Sequence, residues 1–133
     1  MGTRATVHIY QGNVHLVSLY KQSDGYPAGL GVELAEFILG GELINGIFDS
    51  ANGKTQFNGA GCFAAALIAK LKEGPGRLYV STKDDSQEYD YTIRVANSRV
   101  EWQGSGFSIA CRGGRKTNPL PPAEFLAWAD AKT

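Results

Sequence analysis

The sequence predicts an α+β fold in two layers: an antiparallel sheet of about six strands with helices stacked on it. Three observations predict it. Two segments of alternating apolar and polar residues open the chain, and a run of further alternating segments fills its second half. Between them lies Asn58 to Pro75, NGAGCFAAALIAKLKEGP, an almost wholly apolar helical stretch closed by Gly74-Pro75. A second helix precedes that stretch and a third ends the chain, giving the order ββααββββα. A sheet covered by one helical layer is the natural two-layer solution.

Each element has its own signal. Thr3 to Tyr10 and Asn13 to Tyr20 alternate as paired strands. A two-residue turn at Gln11-Gly12 or Gly12-Asn13 groups Val7, Ile9, Val14, Leu16 and Ser18 on one face, with His8, Tyr10, His15 and Val17 on the other. Lys21 to Pro27 is a loop, because Asp24-Gly25 is a turn signal and Pro27 biases Tyr26 away from helix. Ala28 to Leu39 follows as an amphipathic helix on Leu30, Leu34, Phe37 and Ile38, stopped by Gly40-Gly41. Glu42 to Phe57 reads as an ordered loop with short extended pieces.

The central helix has no charge from Cys62 to Ala69, so it is expected to be buried on more than one side. Asn58 is its N-cap candidate, and Lys70 and Lys72 suit its negative end. Arg77 to Thr82, Glu88 to Ala96, Arg99 to Gln103 and Phe107 to Cys111 read as strands of a meander, with Asn97-Ser98 and Gly104 to Gly106 as turns. Arg112 to Thr117 reads as an exposed basic loop. Pro121-Pro122 opens a last helix that packs through Phe125, Leu126, Trp128 and Ala129.

Composition limits the function. The 133 residues, 1–133, suit one domain with a real core. Thirteen basic and thirteen acidic residues leave no net charge, which argues against coating of bulk nucleic acid. Without a signal peptide or an apolar run near 18 residues, a soluble cytoplasmic protein that does not engage membranes is expected. Cys62 and Cys111 read as free thiols. No cofactor motif stands out, and no Cys or His cluster has metal-site spacing.

The segments MGTRATV, LYKQSDGYPAGLGVELAEF, ING, NGAGCFAAALIA, GPGRLYV and EYDYTI resemble a group of short proteins of tailed-phage and prophage genomes. The similarity runs from Met1 to about Val95, with a weaker echo in EFLAW. In NGAGC this chain carries Ala60 where the group commonly carries methionine, and Trp102 to Lys116 lies outside the pattern. The resemblance implies a viral accessory protein acting in the host cytoplasm, of the kind that blunts host defence, and no particular chemistry.

Candidate binding residues fall in three loops. Asn58, Gly59 and Gly61 offer backbone N–H groups at a helix start, where phosphate binds, although the spacing fits neither the P-loop nor the dinucleotide fingerprint. Asp24 could accept from a ribose hydroxyl, with Tyr26 and Tyr20 as stacking platforms. Arg112, Arg115 and Lys116 are the dense cationic cluster, suited to phosphate. With no assembled catalytic set, the expected function is non-catalytic binding of a small anionic, nucleotide-like ligand where these loops converge. In the phage setting this would be a sponge that sequesters a host defence signal.

Two other functions compete. One is a protein-interaction inhibitor that binds a host enzyme through the exposed face of the sheet, with an apolar patch as the contact. The other is a Cys62-dependent hydrolase with His8 or His15 as base. A buried, inert Cys62 is the plainer expectation. A homo-oligomer would suit a small binding protein.

Overall fold

The structure, a computed structural model, describes residues 3–44, 55–81, 87–96 and 105–131. The predicted Asn97-Ser98 turn and the strand over Arg99 to Gln103 lie outside the described residues. The fold is α+β. A six-stranded sheet is built from β1 (Ala5–Gln11), β2 (Val14–Lys21), β5 (Leu78–Ser81), β6 (Tyr89–Val95), β7 (Phe107–Gly113) and β8 (Thr117–Leu120). Its order is β5-β2-β1-β6-β7-β8. The helices are α1 (Val32–Leu39), entered through a π-helical turn at Pro27–Gly31, then α2 (Gly59–Leu71) and the C-terminal α3 (Pro122–Asp130).

The sheet is mixed rather than wholly antiparallel. β1 and β6 run parallel, because β5 precedes β6 in the chain, lies beyond β2 and already runs in the direction of β1, so β6 is reached by a crossover rather than a hairpin. Two pieces at the ends of the predicted ordered loop, β3 (Gly41–Ile44) and β4 (Thr55–Asn58), each reaching one residue beyond it, pair in parallel as a second small sheet. β8 falls inside and beyond the predicted basic loop. Pro119 is tolerated there because β8 is an edge strand.

All three helices lie on one face. Phe63 of α2 meets Phe107 with ring centroids 4.9 Å apart, and Phe125 of α3 meets Tyr91 at 6.3 Å. In register, Phe107 and Tyr91 share their face with Val7, Ile9, Ile93 and Val95. These side chains form the core with Leu30, Leu34 and Ile38, all essentially inaccessible. Each large apolar side chain so buried contributes about 1.5–3 kcal/mol. The loop before α1 is pinned to this core. The Tyr91 hydroxyl donates to the Gly25 carbonyl at 2.6 Å, and a Cβ on Gly25 would stand 2.5 Å from that of Ala5.

α2 corrects one expectation. It buries a single stripe, Ala60, Phe63, Ala64, Leu67 and Leu71, and leaves Cys62, Ala65 and Ala69 exposed. A helix without charge from Cys62 to Ala69 is therefore not enclosed here: Ala65 and Ala69 form an outer surface. Asn58 holds the N-cap position without a side-chain cap bond.

The β1–β2 hairpin turns at Gly12-Asn13, with Gly12 at φ 58° as a tight two-residue turn requires. A bulge at Leu16 then shifts the register. Tyr10 faces His15, but Ile9 faces Val17 and His8 faces Ser18. The predicted face grouping therefore holds only next to the turn. Beyond the bulge Ser18 moves to the His8 side and Val17 to the core side. At the outer edge of the sheet, Lys72 Nζ donates to the Leu78 and Gly76 carbonyls of the β5 region, and the Leu78 N–H donates to Gly76.

Candidate functional site

The face of the sheet opposite the helices is polar. In register it carries Thr6, His8 and Tyr10 of β1, Tyr20, Ser18 and His15 of β2, Asp90, Thr92 and Arg94 of β6, and Arg112, Ala110 and Ser108 of β7. A buried relay crosses it. Ser18 Oγ lies 2.7 Å from His8 Nδ1 and 2.8 Å from His15 Nε2, and His8 Nε2 lies 3.7 Å from Asp90 Oδ1. One serine hydroxyl can donate to one imidazole and accept from the other. Ser18 is fully buried and lines neither cleft described below, so its hydroxyl serves as a bridge.

Beside this relay a cleft of about 410 Å³ opens over β6, β7 and β8. Among the described residues, Arg94, Arg112 and Lys116 line it against a single carboxylate, Asp90. Among the described residues the Arg112 and Lys116 side chains make no hydrogen bond or ion pair, so both are available to a ligand. Arg94 is held in place. Its guanidinium stacks on Tyr10 at 4.4 Å and donates to the Gly12 carbonyl at 2.8 Å. Asp90 is withdrawn, only 6% exposed, turned toward His8 and accepting the Gln87 N–H at 3.4 Å. Ser108, 1% exposed, lines the same cleft, and its hydroxyl has no hydrogen-bond partner among the described residues. A buried hydroxyl in that state costs about 1–3 kcal/mol unless a ligand supplies the missing partner.

A second cleft, of about 470 Å³, lies on the helical side between the Lys21–Tyr26 loop, α1 and the C-terminal end of α2. Asp24 and Arg77 are the non-glycine residues with left-handed φ, 59° and 68°, among the described residues, and both line it. Its charges nearly balance. Asp24, Glu33, Glu36 and Glu73 face Lys21, Lys70 and Arg77. It therefore has no preference for an anion.

The three predicted loops do not converge on one hollow. Asp24 and Tyr26 meet the end of α2 at Lys70 and Leu71, whereas Asn58, Gly59 and Gly61 lie at its beginning, about 18 Å away along the axis. Arg112 and Lys116 line the polar-face cleft. Tyr20 lies on that same face, stacked on Tyr79 at 6.1 Å. Arg115 is taken up by α3. It stacks on Trp128 at 4.3 Å and donates to the Trp128 carbonyl at 2.7 Å and the Ala131 carbonyl at 3.4 Å. A cation suits that position because carbonyls project unpaired from a helix end. Sequence reading missed Arg94, Ser108 and Asp90. The alternation Asp90, Thr92, Arg94 marked the polar side of β6, and Ser108 between Phe107 and Ile109 marked that of β7, the signals that could have found them.

The cysteine arrangement also departs from expectation. Cys62 is exposed on α2, and the sheet separates it from His8 and His15. Cys111 is the buried thiol, and burial pushes its pKa up to about 12. Among the described residues no group of His, Cys, Asp and Glu could hold a metal, and no helix is long and apolar enough to cross a membrane. Comparison with protein-family models, curated proteins and solved structures returned no match to this chain.

Proposed function

We propose that this protein binds a small anionic, nucleotide-like ligand, without turning it over, in the cleft on the helix-free face of the sheet. One observation carries the reading: among the described residues, a cleft of about 410 Å³ is lined by three cationic side chains, one withdrawn carboxylate and a buried serine hydroxyl that lacks a partner. The volume falls in the range of small-molecule sites. Arg112 supplies a fork suited to phosphate and Lys116 a point charge beside it. Thr92 adds a hydroxyl between them and Arg94.

The resemblance to tailed-phage proteins supplies the setting: sequestration of a nucleotide-type host defence signal. The test is calorimetric titration with mononucleotides, cyclic nucleotides and dinucleotides, followed by heat denaturation of the complex and chromatography of the released ligand. Binding with recovery of unaltered nucleotide is expected. Arg112→Ala with Lys116→Ala should weaken it at least tenfold, the scale of one lost charge-assisted contact. No binding of any anion, or release of a changed product, rejects the proposal.

A further inference from the structure

We propose that the ligand of this cleft is an elongated dianion, with one anionic group held by Arg112 and Lys116 and the other by Arg94 and Ser108. The proposal rests on the reading of the cleft as an anion site and goes beyond it by fixing the charge distribution of what fits.

The strand register carries it. Asp90 faces Arg112, Thr92 faces Ala110, and Arg94 faces Ser108. Arg94 and Arg112 thus stand at opposite ends of a ladder, four residue steps apart, about 13 Å at a strand's rise per residue. Lys116 joins the Arg112 end, because Thr117 pairs with Cys111. The middle of the floor, Thr92 and Ala110, is small and uncharged, so a flat or slender group can lie across it. A single phosphate cannot reach both cationic ends at once.

Each end has its own support. Arg94 is pre-oriented by Tyr10 and the Gly12 carbonyl, and its guanidinium keeps N–H donors beyond the one already used. Beneath it Ser108 holds a hydroxyl that is unpartnered among the described residues and requires an acceptor. An anionic oxygen at that end would supply the acceptor. The fitting class is a nucleoside carrying phosphate or carboxylate at both extremities, or a dinucleotide whose phosphates lie apart.

A chemical ruler tests this. Calorimetric titration with bisphosphonates joined by alkane chains, from ethylene to dodecylene, should show affinity rising to an optimum at intermediate length. At that optimum affinity should exceed a matched monophosphonate by at least tenfold. Arg94→Gln and Ser108→Ala should each remove most of that advantage, weakening the bisphosphonate of optimal length by a larger factor than the monophosphonate, and Arg94→Lys should keep part of it. Arg112→Ala should weaken both probe types. Circular dichroism of each variant confirms that the fold is retained. Monophosphonate binding that depends on Arg112, with no length optimum and no effect of Arg94→Gln, overturns the dianion proposal and leaves the anion site standing. Binding of neither probe overturns both.

Discussion

Ser108 carries a cost to stability that its proposed role in binding would offset. Its hydroxyl is buried without a partner among the described residues, so Ser108→Ala should stabilise the unliganded protein by about 1 kcal/mol in urea denaturation. A destabilised variant would mean that the hydroxyl is satisfied in the folded state. The two thiols give a second test. Cys62 is exposed and Cys111 is buried with its pKa raised. One thiol per native chain should therefore react with a disulfide reagent at neutral pH, and Cys62→Ser should abolish that reaction. The Ser18 position was not legible in the sequence, because the bulge at Leu16 leaves no mark in an alternating apolar pattern. A one-residue slip moves every later side chain to the other face.

At the scale of elements, α3 is fastened by a residue that the sequence placed in a ligand loop. Arg115 reaches the carbonyls of Trp128 and Ala131 while lying over the Trp128 ring. Arg115→Ala should cost about 1–3 kcal/mol, measured by chemical denaturation, with anion affinity unchanged. Loss of affinity in a folded Arg115→Ala protein would return this residue to the binding site. Gly25→Ala should also destabilise, by about 1–3 kcal/mol, because its Cβ would overlap that of Ala5 at the point where the loop is pinned to β1. The helices and most strands were legible, since periodicity and Gly-Pro stops are local signals. The outward alanine stripe of α2 was not. Absence of charge shows what a helix can bury, and the supply of neighbours decides what it does bury.

The whole molecule divides into an apolar, helix-covered face and a polar face, and that division separates the predicted loops. Three loops rich in glycine, Asx and arginine could be read as neighbours only by assuming a strand order. The parallel return of β6 beside β1 instead brings the polar sides of β6 and β7 next to Tyr10. Long-range pairing of this kind has no local signature in the chain.

The buried side of the sheet predicts a fold that loses stability in alkali. Burial raises the pKa of Cys111 to about 12, and burial first, then Cys111, pushes Tyr91 well above the ordinary tyrosine range. Above about pH 8.5 the unfolded thiol loses a proton that the folded one keeps. Stability should thus be fully present below that pH and fall as pH rises toward 12, by up to about 1.4 kcal/mol per pH unit from this thiol. Denaturation midpoints measured between pH 7 and pH 11 should decline, and Cys111→Ala should flatten the decline. An unchanged slope in that variant would assign the effect to other groups.

The Lys72 ammonium and the Gly76 carbonyl occupy the backbone groups of Leu78 that would otherwise recruit another strand. At the opposite rim β8 carries Pro119, which has no N–H to give. Stacking of copies into an extended ribbon is therefore discouraged from both sides. An assembly through this sheet would instead use its broad faces, where the outer stripe of α2 and the polar cleft would be the surfaces brought together.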